Sequence, residues 1–143
     1  MIRRFSHAGL VVRDIKATIE LYTELFGLQP WSHGVLEIPE VGAKIFTFVI
    51  GDNLLELMEP TDNEMPMGKF LRERGEGLYH INLRVGDLDA AVRSLRGKGA
   101  IVEDPIQVLS VPWKSKIAWV SPQSVNGAII ELVERPRSGG PNP

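Results

Sequence analysis

The chain predicts an α+β fold made of two βαβββ modules, and three observations carry that reading. Two stretches open alike, as His7-Ala-Gly-Leu-Val-Val-Arg-Asp14 and His80-Ile-Asn-Leu-Arg-Val-Gly-Asp87. Two others close alike, as Leu54-Leu-Glu56-Leu-Met-Glu59 and Ile129-Ile-Glu131-Leu-Val-Glu134. The spacing between them is nearly constant: His80 follows His7 by 73 residues, and Glu131 follows Glu56 by 75. Self-similarity at a fixed offset marks a repeated structural unit rather than a chance motif.

The elements follow in order. Phe5 to Val12 is β-branched and apolar and reads as a strand. Asp14 then reads as a helix N-cap, and Ile15, Ile19, Tyr22 and Phe26 recur at helical spacing until Gly27 stops the helix. A weaker strand is expected over 31–38 and a stronger one over Ile45 to Ile50. Gly51-Asp-Asn53 has turn chemistry, and Leu54 to Met58 returns as a strand. The second module repeats this order. It has a strand over Tyr79 to Val85, a cap at Asp87, and a helical stripe of Leu88, Val92 and Leu95 ended by Gly97 and Gly99. A short strand within Ile101 to Val108 is broken by Pro105. Strands over Ile117 to Val120 and Ala128 to Val133 follow, with Pro122 and Asn126-Gly127 between them. The modules span about residues 5–60 and 78–134. They are joined by a linker over 61–77 with a short helix at Met67 to Arg74, and followed by a disordered tail over 135–143. Neither module has enough strands to close around a site, so two of them side by side are expected to form a cupped, half-open mixed barrel.

Composition narrows the function. At 143 residues the chain is one domain's worth, long enough for a sizeable core. A net charge of −2 and a pI near 5.9 leave no basic surplus for nucleic acid. Zero cysteines exclude disulfides, iron–sulfur clusters and Cys-ligated zinc, and fit the cytoplasm. No apolar run approaches a membrane span, and Met1-Ile-Arg-Arg-Phe-Ser6 enters a strand directly with no signal-peptide core.

The repeated His and Glu carry the chemistry. Period-2 alternation puts Glu56 between Leu54 and Met58 on one face of its strand, and Glu131 between Ile129 and Val133. A carboxylate among apolar neighbours is costly unless it is paired or bound to a cation. A lone strand histidine is usually structural; His7 and His80 differ because the repeat pairs them. If the modules pack about a pseudo-twofold axis, His7, Glu56, His80 and Glu131 converge. Two neutral imidazoles and two carboxylates suit a divalent ion such as Co, Ni, Mn or Zn.

This arrangement resembles the vicinal oxygen chelate superfamily, which includes glyoxalase I, extradiol dioxygenases and methylmalonyl-CoA epimerase. The resemblance covers residues 5–134. It implies paired βαβββ modules around a divalent metal, with ligands on the first and last strand of each module, where this chain has His7, Glu56, His80 and Glu131. Within the superfamily the chain is most similar to the methylmalonyl-CoA epimerases. The segments that carry this are Glu56-Leu-Met-Glu-Pro60, Gly68-Lys-Phe-Leu71, Gly75-Glu-Gly-Leu-Tyr-His80 and Ser121-Pro-Gln-Ser-Val-Asn-Gly127 before Ala128-Ile-Ile-Glu131. Those epimerases carry a glutamate after a proline in the loop before the third strand, which Ile38-Pro-Glu40-Val-Gly42 matches. The chain departs from them at Tyr79-His80, where they usually have two histidines. It departs again at Val111-Pro-Trp113-Lys-Ser115 and Ser121-Pro-Gln123, where they often carry Gly-His-Gly and His-Pro-Lys. A bulky Trp113 at that place implies a different acyl chain.

The resemblance implies a metal-dependent epimerase of a short-chain acyl-CoA thioester, with Glu131 and Glu40 as the two bases and a homodimer as the usual assembly. The alternatives are a glyoxalase I-type lactoylglutathione lyase, for which the same donor set serves, and a non-catalytic ligand-binding resistance protein of the same fold. Extradiol ring cleavage fits less well, because it resembles two His plus one carboxylate on iron. The remaining polar residues have plainer readings. Glu59 and Glu134 belong to solvated faces, Asp14 and Asp87 to helix caps, and His33, Lys114 and Lys116 to the surface.

Overall fold

The structure is a computed structural model, and it describes residues 1–31 and 33–136. The chain is α+β, with three α-helices and nine strands among the described residues. Their order is β1 (Ile2–Val11), α1 (Ile15–Phe26), β2 (Gln29–Pro30), β3 (Leu36–Ile38), β4 (Ala43–Ile50), β5 (Asn53–Pro60), α2 (Pro66–Arg74), β6 (Gly77–Val85), α3 (Leu88–Gly97), β7 (Ile106–Val108), β8 (Ser115–Val120) and β9 (Ile130–Glu134). The expected tail over 135–143 falls, after Pro136, outside the described residues. The chain divides into two compact units. The N-terminal unit is His7–Tyr79; the C-terminal unit joins Met1–Ser6 to the chain from His80 onward.

In the N-terminal unit the strand order is β2-β4-β5-β1, with β3 also on β4. β1 runs parallel to β5, and β4 antiparallel to it. Asp14 caps α1 as its sequence position predicts, accepting from Ala17 N at 2.9 Å, and Gly27 closes the helix in the left-handed region at φ 63°. The inner face of α1 contributes Ile15, Ile19 and Tyr22 to a core with Val12, Phe46, Phe48 and Leu57. Phe26 was expected in that stripe and is instead 64% exposed. It is the last helical residue, and its ring meets that of Tyr22 in a T-shaped pair with centroids 5.5 Å apart. The single strand expected over 31–38 is also corrected: among the described residues of that span Leu36–Ile38 forms a strand on β4, and Gln29–Pro30 is a separate short pairing. His33 and Gly34 adopt φ of 71° and 62°, which turns the chain out of extended geometry.

The C-terminal unit repeats the plan as β6-β9-β8-β7, with the first half of β1 beside β6. β6 is parallel to β9, and β8 is antiparallel to both β9 and β7. Asp87 caps α3 through Ala90 N at 2.8 Å. Leu88 and Val92 of α3 are buried in a core with Val85, Val102, Ala118, Val120 and Leu132, against which Leu95 packs. Burying one such aliphatic side chain is worth about 1.5–3 kcal/mol. Val102 bridges Val120 alone, and β7 starts only at Ile106, so Pro105 interrupts this strand as its chemistry requires. The linker helix forms as α2, starting on Pro66.

Candidate functional site

Strand register shows that the repeat is structural. In the N-terminal unit Glu56 of β5 pairs with Gly9 of β1, two residues past His7. In the C-terminal unit Glu131 of β9 pairs with Asn82 of β6, two residues past His80. The different sequence offsets are absorbed in the connections: β4 and β5 join through a tight turn between Ile50 and Asn53, whereas β8 and β9 join across a longer loop between Val120 and Ile130. Residues two apart on a strand share a face, and cross-strand partners share it too. Each unit therefore presents one His and one Glu on the same face. The next residues, Leu57 and Leu132, point the other way into the two helix-covered cores.

In the N-terminal unit this geometry brings His7 Nε2 to 3.6 Å from Glu56 Oε1. His7 is buried and Glu56 nearly so, between buried Leu54 and Met58. Thr47 of β4, also buried, stands across from Glu56 on its other side.

In the C-terminal unit His80 is buried, and burial depresses its pKa from the ordinary 6.5 to about 3. The imidazole is therefore neutral at pH 7, the form that ligates metals. Its ring meets the Trp119 indole edge-on, with centroids 5.3 Å apart. Trp119 occupies the place opposite Glu131 that Thr47 has opposite Glu56. Glu131 is buried, and its Oε1 accepts a 2.6 Å hydrogen bond from Asn82 Nδ2.

Glu40 sits in a single 3-10 turn, Pro39–Val41, between β3 and β4, and is half-buried. Its turn is held tightly. Gly42 closes it at φ 67°, Gly42 N donates to Pro39 O at 3.1 Å, and Thr61 N donates to Gly42 O at 2.8 Å. The positive φ of Gly42 favours glycine here, and a Cβ would lie 2.6 Å from Met65 Sδ, which would have to shift.

The plainer residues are placed as follows. Asp14 and Asp87 are the two helix caps. His33 is exposed, its ring edge-on to Trp31. Lys116 pairs with Asp89 and Lys114 is exposed. Glu134 departs from its solvated-face reading: it is half-buried, and its Oε2 accepts from Leu88 N at 2.7 Å, which helps start α3. Trp113 is half-buried beneath the Arg135 guanidinium, 5.5 Å from its ring centre. Sequence reasoning missed Asn82 and Trp119. The signal was present for Asn82, since a polar residue two positions after His80 in a strand must share its face.

The fold and the paired His/Glu registers define a class before any individual relative. Residues 6–111 match the model of the Glyoxalase/Bleomycin resistance protein/Dioxygenase superfamily, and the chain belongs to that superfamily. It is 30% identical over 133 residues to the Bacillus subtilis protein YqjC, covering 93% of each chain. It is 26% identical over 135 residues to the mitochondrial methylmalonyl-CoA epimerase of Dictyostelium discoideum, covering 94% of this chain and 80% of that one. A variant of the Streptomyces coelicolor methylmalonyl-CoA epimerase, solved in complex with 2-nitronate-propionyl-CoA, superposes with a TM-score of 0.84 at 29% identity. The match covers 93% of this chain and 97% of that one.

Proposed function

We propose that this chain is a metal-dependent epimerase of a short-chain acyl-CoA thioester, with methylmalonyl-CoA the first candidate, and that His7, Glu56, His80 and Glu131 together hold one divalent ion. The observation that carries the reading is the shared register. Two units independently set a His and a Glu at the same relative place on their first and last strands. The donor chemistry fits such an ion. His80 is neutral at pH 7, the hydrogen bond on buried Glu131 comes from an uncharged amide, and two carboxylates would balance a 2+ charge. Co, Ni, Mn and Zn all suit this mixed N/O set. The substrate class is supported by relatives named as methylmalonyl-CoA epimerases, one of them holding a CoA-bearing ligand.

A divalent ion bound there supplies Lewis-acid polarisation of the thioester carbonyl. The chain's own residues do the proton work. Inverting the carbon next to the carbonyl requires a base on one face of it to take the proton and an acid on the other face to return one. We assign these roles to Glu131 and Glu40, each acting within hydrogen-bond reach of that carbon. The fixed turn under Glu40 suits a side chain that must be presented at one position. A homodimer and a cytoplasmic location belong to the same proposal; no helix among the described residues is long and apolar enough to cross a membrane.

The test is a paired turnover assay in deuterated water. The reading predicts α-proton exchange and inversion of methylmalonyl-CoA and no action on the hemithioacetal of methylglyoxal and glutathione. The reverse pattern replaces it with a lactoylglutathione lyase. Inactivity on both in a metal-loaded protein moves the substrate to another acyl group, with Trp113 the first residue to examine. A protein that takes up no metal is a binding protein of the same fold.

A further inference from the structure

Asn82 is almost wholly buried, at 1% exposure, in the middle of β6. Its Nδ2 donates to Glu131 Oε1 at 2.6 Å, a short bond of the kind a charged acceptor makes. Turning the amide over would face Oδ1 against a carboxylate oxygen, so the donor orientation is the one the chemistry allows. The other end of the amide, Oδ1, is buried and accepts no hydrogen bond among the described residues. An amide kept for structural reasons alone is normally satisfied at both ends, because an unpartnered buried carbonyl is destabilising. The fold does not demand an amide here either. Gly9, at the equivalent register place in the N-terminal unit, has no side chain at all.

We propose that Asn82 is a positioning residue for Glu131: its hydrogen bond to Oε1 fixes the orientation in which the carboxylate is offered to the divalent ion. The inference rests on the metal-centre reading above and deepens it. Held at one end, Glu131 keeps one geometry. Trp119, the β8 register partner of Glu131, sets its ring edge-on against His80 in the same unit. Hydrogen-bond partners that orient metal ligands in this way are worth about 10–100-fold in metal affinity or activity.

The experiment is Co²⁺ titration of metal-stripped protein by calorimetry, with circular dichroism melts in chelator as the control for folding. Asn82→Ala removes the amide. Asn82→Leu removes the donor and keeps its approximate shape. Each is expected to bind Co²⁺ about 10–100-fold more weakly than the wild type. Each is also made in a Glu131→Ala background, where the loss should vanish because Asn82 acts only through the Glu131 carboxylate. Undiminished Co²⁺ binding by both single variants overturns the proposal and leaves the epimerase reading standing. An equal loss with and without Glu131→Ala, or collapse of the fold in both variants, assigns Asn82 to the core and overturns it as well. A wild type that binds no Co²⁺ removes the metal-centre reading itself, and that result is read before any variant is measured.

Discussion

Glu56 and Glu131 hold equivalent places in the two units and have different surroundings. Glu56 faces the residue Gly9 on one side and Thr47 on the other, with His7 Nε2 3.6 Å away. Glu131 faces Asn82 and Trp119, is hydrogen-bonded by the first, and shares the second with His80. The backbone repeat duplicates where a ligand-bearing side chain stands. It does not duplicate what touches that side chain, so the two carboxylates are free to take different duties. In the proposed reaction Glu56 is a ligand only, whereas Glu131 is both a ligand and a base.

The largest effect that tests this division comes from the histidines, which it treats as equals. His7→Ala and His80→Ala should each strip the ion and cut epimerisation by on the order of 10²-fold or more, as metal analysis and turnover would show. Substantial activity in a metal-free His80→Ala protein ends the metal reading.

Glu40→Gln comes next, because no counterpart of Glu40 is proposed in the C-terminal unit. It should leave metal content unchanged and slow inversion by about 10²–10⁴-fold, the usual contribution of a positioned acid–base group. Solvent exchange from one epimer should survive far better than inversion, since Glu131 still reaches its own face. Wild-type inversion rates would reduce Glu40 to a loop residue.

The carboxylates themselves should separate under the same substitution. Glu56→Gln keeps an oxygen donor and should retain metal and exchange in part. Glu131→Gln should lower metal affinity, exchange and inversion together. Equal damage from both, measured side by side, would contradict the assignment of separate duties.

The smallest effect is on stability and follows from His80 in metal-free protein. The folded chain holds His80 neutral down to about pH 3, while the unfolded chain protonates it near 6.5. Between those values the unfolded state binds the extra proton. The contribution is therefore fully present above about pH 6.5 and is lost as the pH falls toward 3, at up to about 1.4 kcal/mol per pH unit. Urea unfolding of the chelated protein against pH should show this slope, and His80→Phe should remove it. A slope of the opposite sign would mean that His80 is protonated in the fold.

The elements were readable because their signals are local. Asp14, Asp87 and Gly27 act on backbone within a turn of themselves, and alternation along β1, β5, β6 and β9 needs no knowledge of partners. The repeat then places His and Glu on matching faces from the sequence alone. Three features escaped for physical reasons. The break at His33 and Gly34 depends on left-handed backbone that a non-glycine residue rarely signals. The burial of Glu134 comes from the α3 N-terminus, 46 residues away in sequence. The bond from Asn82 to Glu131 depends on register between parallel strands 49 residues apart, which no local pattern encodes.

In the proposed centre His7, Glu56, His80 and Glu131 hold one divalent ion together, and metal stoichiometry distinguishes this from separate binding by each His/Glu pair. Metal-stripped protein titrated with Co²⁺ should take up one ion per chain, and loss of either His7 or His80 should abolish that uptake. Two ions per chain, or a full ion retained after one of the histidines is removed, would show that each unit binds alone and would contradict the shared site.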